Sequence, residues 1–119
     1  MQLRCLIVDD NAAFIEMASI VLEREGVMVA GTASSIADAL RKVDELRPDV
    51  VLVDIMLGDE NGLDLASRLA GNGMGGMAVI MTSTWAGPDY VDLIAGSPAA
   101  GFLPKTELSA AGIRKILAR

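Results

Sequence analysis

The sequence predicts an α/β fold in which one parallel sheet of five strands carries helices on both faces. Three observations predict it. Five short apolar runs alternate with segments of helical periodicity, as in chains that build parallel sheets. Each run is nearly continuous in its apolarity, which a strand covered on both sides requires. The 119 residues are 52% apolar but only 3% aromatic, which suits one aliphatic core in one domain spanning residues 1–119.

The elements follow in order. Leu3 to Val8 is the first run, closed by Asp9-Asp10-Asn11. Phe14, Ala18, Val21 and Leu22 then recur at helical spacing, and Gly26 supplies the stop. Val27 to Ala30 reads as the second strand. Ser35, with Asp38 three residues on, resembles a capping box opening a helix whose face is Ile36, Ala39, Leu40 and Val43. Pro48-Asp49 breaks the chain before the third strand, Val50 to Val53. Gly58 to Gly62 reads as a turn-rich loop, and Leu63 to Ala70 as the third helix. The fourth strand is Ala78 to Met81, and a helix starts at Pro88 and stops at Gly96. A brief fifth strand covers Gly101 to Leu103, and a last helix follows from Thr106 with Leu108, Ile113, Ile116 and Leu117 as its apolar positions.

Composition removes several functions. With no histidine, Ser-His and Cys-His nucleophile pairs, His-ligated zinc and a phosphohistidine carrier are excluded. The single cysteine, Cys5, lies within the first apolar run and reads as a small hydrophobe. A formal net charge of −6 argues against direct nucleic-acid binding, which depends on Lys and Arg neutralising phosphates. No run reaches the roughly 18 apolar residues of a membrane helix, and the start is wrong for a signal peptide. The expected location is the cytoplasm, with no membrane partner. Gly71-Asn72-Gly73-Met74-Gly75-Gly76 spells GxGxxG, but a helix precedes it and a strand follows. That reverses the context in which the motif holds a pyrophosphate, so it reads as a connector.

The strand ends carry the chemistry. Ligands of open parallel sheets bind beyond the carboxyl ends of the strands, where strand order reverses. Strand one ends in Asp9-Asp10, strand three in Asp54, strand four in Thr82-Ser83, and Lys105 follows strand five. With the order 2-1-3-4-5, three carboxylates crowd together beside a hydroxyl and an ammonium. Like charges in a partly desolvated pocket repel and raise one another's pKa. A divalent cation relieves that repulsion, and oxygen donors without His or Cys point to Mg2+, or Mn2+.

These residues resemble the receiver (response regulator) domain of two-component signalling, with its flavodoxin-like fold. The resemblance rests on Leu6-Ile7-Val8-Asp9-Asp10, Val51-Leu52-Val53-Asp54-Ile55, Gly62-Leu63, Val79-Ile80-Met81-Thr82-Ser83 and Gly101-Phe102-Leu103-Pro104-Lys105, and it covers essentially the whole chain. It implies that Asp54 accepts a phosphoryl group from a histidine kinase or histidine phosphotransfer protein. Asp9, Asp10, Asp54 and the Met56 backbone carbonyl would hold Mg2+, with Asp10 more direct than Asp9. Lys105 would pair with Asp54 or with phosphoryl oxygens, and Thr82 would hydrogen-bond the phosphoryl group. The resemblance also makes Thr82 and Phe102 a coupled switch, with plain core packing as the alternative for Phe102. Trp85 and Tyr90 fall beside the partner face, and a homodimer through the fourth helix, fifth strand and fifth helix is implied. The chain would be no enzyme apart from autocatalytic phosphoryl transfer onto and off Asp54.

Departures from the pattern qualify this. Gly58 stands where receivers commonly have Pro, which implies a looser and more acidic loop. Thr106 replaces the Pro that often follows Lys105 in a cis peptide, and a cis bond before Thr costs about 2.5–4 kcal/mol. Met56 and Thr84, at positions that tune dephosphorylation, offer no acid or base, so a long-lived phosphoryl state is expected. Met56 also stands where dehalogenase-type phosphatases have their general acid, which argues against that enzyme class. Asp9-Asp10 would repel the phosphate of a flavin nucleotide. A degenerate receiver, binding partners without phosphorylation, is the remaining alternative.

Overall fold

The computed structural model describes residues 2–71, 76–84 and 88–118, and only the backbone of 88–91. Five parallel strands, β1 (Arg4–Val8), β2 (Met28–Ala33), β3 (Val50–Asp54), β6 (Ala78–Ser83) and β7 (Gly101–Pro104), form one sheet. Their order is β2-β1-β3-β6-β7, which among these five strands is the expected 2-1-3-4-5. Between β3 and the third helix stands a small antiparallel hairpin, β4 (Met56–Leu57) and β5 (Glu60–Asn61). The helices are α1 (Ala12–Arg24), α2 (Ile36–Leu46), α3 (Gly62–Gly71), α4 (Pro88–Ala95) and α5 (Ala110–Leu117).

Alternation within the continuous apolar runs sorts the core into two layers. Leu6, Val8, Val51, Val53, Val79 and Met81 face Ile36 and Ala39 of α2, Leu65, Ala66 and Leu69 of α3, and Ile94 of α4. Cys5, Ile7, Val50, Leu52, Ile80 and Leu103 face Ala18 and Leu22 of α1 and Ala110, Ile113 and Ile116 of α5. Leu6, Leu22, Leu52, Leu65 and Ile113 are fully buried, each contributing about 1.5–3 kcal/mol through burial. Burial also pushes the Cys5 thiol up to about 12, with the backbone of Leu52 opposing only in part. The thiolate is therefore absent near neutrality, as expected of an inert packing cysteine.

Local signals explain most boundaries. Asn11 caps α1 by accepting the Phe14 amide at 3.1 Å, and Gly26 follows the helix with φ of 90°. Ser35 caps α2 by accepting the Asp38 amide at 3.2 Å. Only half of the capping box forms, because the Asp38 carboxylate pairs with Arg41 and Lys42. A separate free amide of the first turn, that of Ile36, donates to Glu60 Oε1, 3.0 Å away.

Three expectations need correction. The second strand runs to Ala33 rather than Ala30, since pairing with β1 resumes after a bulge, from Cys5–Val29 to Leu6–Gly31. Residues 58–62 are not a loose loop: Met56 pairs with Asn61 and Leu57 with Glu60. Gly58 turns that hairpin at φ of 61°, a backbone that proline, locked near −65°, is unable to adopt. The last helix begins at Ala110 rather than Thr106, because Lys105–Glu107 form a 3-10 turn and Ser109 caps α5 on the Gly112 amide. Among the described residues no peptide bond is cis, so the Lys105–Thr106 bond is trans. The glycine tract is preceded by α3 and followed by β6, the reversed context expected; its residues 72–75, Trp85 and the Tyr90 side chain lie outside the described residues.

Candidate functional site

Strand register brings the site together. Val8 pairs with Val53 across β1 and β3, so Asp9 emerges beside Asp54. Asp54 itself pairs with Thr82 on β6. The Asp9 amide donates to Ala33 O and the Ile55 amide to Thr82 O, both at 2.9 Å, which extends the ladder to the strand ends. Lys105 leaves β7 on the 3-10 turn and reaches across to both acids. Its Nζ lies 2.7 Å from Asp9 Oδ2 and 3.0 Å from Asp54 Oδ2.

The two buried acids are held differently. Asp9 is 1% exposed, and its Oδ1 accepts the Asn11 amide at 2.9 Å. Its Oδ2 has the ammonium as an ion-pair neighbour but accepts no hydrogen bond in good geometry. Asp54 is 7% exposed; its Oδ1 accepts the Met56 amide at 3.2 Å and its Oδ2 the Lys105 ammonium. Burial raises the Asp54 pKa, only partly offset by hydrogen bonds from Lys105 and the Met56 amide, while the Asp9 charge raises it further. For Lys105, burial acts to lower the pKa, but hydrogen bonding and attraction from Asp9 and Asp54 outweigh it and leave the ammonium above its ordinary range.

Carboxylate oxygens of Asp9, Asp10 and Asp54 lie within 4.8 Å of one another, with Asp10 exposed and the other two buried. Three hard oxygen donors with no His or Cys among them fit a small divalent cation such as Mg2+ or Mn2+. One ammonium shared by Asp9 and Asp54 leaves three carboxylates under-neutralised, and a cation at this corner would offset the excess charge.

The remaining expected residues divide. Thr82 is buried at the strand end, next to Asp54 by register. Met56 meets Asp54 through its amide, while its side chain is 59% exposed. Phe102 pairs with Met81 and packs, half-buried, on the α2–α3–α4 layer. Thr82 pairs with Leu103, which belongs to the opposite layer.

Two further residues touch the site. The Phe14 ring lies under Lys105, with Nζ 4.4 Å from the ring centroid. Its helical spacing marked it only as a core position, since periodicity carries no information about which distant cation a ring meets. Gly62, at the start of α3, donates its amide to Ile55 O at 2.7 Å. A Cβ there would lie 3.0 Å from Val53 Cγ1 and press into the Asp54 carbonyl. Gly62 is therefore what lets the helix pass directly behind β3.

Residues 5–117 match the family described as the response regulator receiver domain. The chain is 41% identical over 96 residues to the DNA-binding response regulator MtrA of Mycolicibacterium paratuberculosis, covering 81% of this chain and 40% of that protein. It thus spans about 40% of the length of that curated relative. The signal receiver domain of NarL from Mycobacterium tuberculosis superposes with a TM-score of 0.87 at 28% identity, over 99% of this chain and 98% of that one. A CheY-like response regulator receiver domain protein from Methanospirillum hungatei JF-1 gives 0.80 at 27%, over 98% and 91%. With its sheet order, its acid cluster and a family match over residues 5–117, this chain belongs to the response regulator receiver domain family.

Proposed function

We propose that the chain is a phosphorylation-dependent switch in which Asp54 accepts a phosphoryl group from a histidine kinase or histidine phosphotransfer protein. The observation that carries this reading is the placement of Asp54: a nearly buried carboxylate with Lys105 on one oxygen and a backbone amide on the other. A carboxylate so oriented attacks phosphorus, the N–P bond of the donor breaks, and an acyl phosphate forms on Asp54. Asp9, Asp10 and Asp54, with the Met56 carbonyl, would hold Mg2+ or Mn2+, whose charge offsets that of the acids and of the phosphoryl oxygens. Lys105 neutralises one side of the site, and Thr82 offers its hydroxyl to the new phosphoryl group. Catalysis is positioning and charge neutralisation, so the chain acts on its own Asp54 and turns over no other substrate.

The response would leave through Thr82 and Phe102. Because their register partners lie in opposite core layers, coupling between them runs through the β6–β7 backbone rather than by direct stacking. The α4–β7–α5 face is the proposed homodimer surface. The net charge of −6 favours protein partners over nucleic acid for these residues. No described helix is long and apolar enough to cross a membrane.

The test is intact mass after incubation with phosphoramidate. With Mg2+ present the chain is expected to gain one phosphoryl group, and with a chelator none. No gain under either condition would favour a phosphorylation-independent interaction module. Met56 and Thr84 are both exposed and carry no acid or base, so nothing on them activates water. The phosphoryl state is expected to persist for minutes or longer after the donor is removed, and decay within seconds would refute this.

A further inference from the structure

We propose that Phe14 is a positioning residue for Lys105, its ring holding the ammonium over Asp9 and Asp54 and keeping water off its third side. The Lys105 side chain is only 13% exposed. Two sides of its Nζ are taken by carboxylates at 2.7 and 3.0 Å, and the aromatic face lies 4.4 Å away. The negative face of an aromatic ring attracts a cation, and more strongly where water is excluded. It offers no lone pair to a metal and no proton-accepting atom, so it anchors Lys105 without competing with carboxylate or phosphoryl oxygens.

The backbone makes this contact part of the site. Asp9 Oδ1 accepts the Asn11 amide, and Asn11 Oδ1 accepts the Phe14 amide. Asn11 thus links the two: its amide orients Asp9, and its side chain sets the first turn of α1 and the place of the ring. An aliphatic side chain at this position would fill the same half-buried volume but would not attract the ammonium. On the reading of Asp54 as acceptor, Lys105 moves from carboxylate to phosphoryl oxygens during transfer. The ring gives it a fixed surface for that exchange.

Phe14→Leu and Phe14→Tyr separate the roles, with Phe14→Met replacing the leucine variant if that one fails to fold. In metal-free protein the ε-methylene protons of Lys105, assigned by their loss in Lys105→Met, are expected upfield from ring current in the wild type and in Phe14→Tyr. In Phe14→Leu they should return to the position of a free lysine. With saturating Mg2+, phosphorylation by phosphoramidate should slow about three- to tenfold in Phe14→Leu and be restored in Phe14→Tyr. Mg2+ binding should be retained in both, because the carboxylates stay in place. Unshifted lysine protons in the wild type, or wild-type transfer by Phe14→Leu, would overturn the proposal. A wild type that takes up no phosphoryl group sinks the acceptor reading of Asp54 and the transfer half of this one. Upfield Lys105 protons would then still uphold the contact itself.

Discussion

Asp54→Asn is expected to abolish phosphoryl uptake, by on the order of a thousandfold or more, as loss of a nucleophile does. The amide has nearly the shape of the carboxylate, so Lys105, the Met56 amide and the β3–β6 pairing should keep their places. What disappears is the anionic oxygen proposed to bond to phosphorus. Intact mass with phosphoramidate and Mg2+ checks it, and an undiminished gain would move the acceptor to another residue. The same variant carries a stability prediction. Burial, reinforced by Asp9, holds the folded-state pKa of Asp54 above its ordinary value. A group raised in this way stabilises the fold most in acid, and that contribution is lost as pH rises through the folded pKa. At neutral pH without metal, ionised Asp54 therefore weakens the fold, and Asp54→Asn should melt higher than the wild type. The gap should close as pH falls toward the unfolded carboxylate pKa near ~4. Mg2+ should narrow it from the other direction, by binding the native wild type. Thermal melts at several pH values, with and without Mg2+, read both trends.

Gly62→Ala is the substitution expected to damage the fold most. The new methyl would press on the carbonyl of Asp54 and lie 2.9 Å from its carbon. These are backbone atoms of a central strand, paired on both sides by β1 and β6, and they have nowhere to go. Overpacking of this kind costs about 1–3 kcal/mol or more, a loss of roughly 10 °C in Tm for a domain of this size. The strain falls on Asp54, the proposed acceptor, so phosphorylation should slow as well as stability fall. Gly71→Ala is the control: nothing lies within 4 Å of a Cβ there, and its melt should match the wild type or exceed it slightly. An unchanged melting temperature for Gly62→Ala would mean that α3 shifts freely behind β3.

The candidate site was legible in the sequence because its parts are local features repeated at strand ends. Asp9-Asp10 closes one apolar run, Asp54 another, and Thr82 and Lys105 follow two more. Parallel strands deliver all their carboxyl ends to one edge, so residue type at the end of a run is already a statement about position. Of the helix caps only Ser35 was read in advance, although Asn11, Ser35 and Ser109 each cap through a side chain acting on an amide three residues ahead. Ser109 was nevertheless missed, because Leu108 fits a helical period that in fact begins only at Ala110.

What the sequence by itself determined is the alternation of five apolar runs with amphipathic helices, the covering of both sheet faces, and the acids, hydroxyl and amine that meet at one edge. These follow from periods of two and 3.6 residues, which neighbouring side chains impose whatever the rest of the chain does. Only the tertiary structure decided the contacts between residues far apart in the chain. It carried β2 on to Ala33 by pairing with β1, folded residues 56–61 into a hairpin, and laid Glu60 on the start of α2. It divided one ammonium between Asp9 and Asp54 and set it over Phe14. Such contacts depend on register and on the packing of whole elements, and no local pattern encodes either.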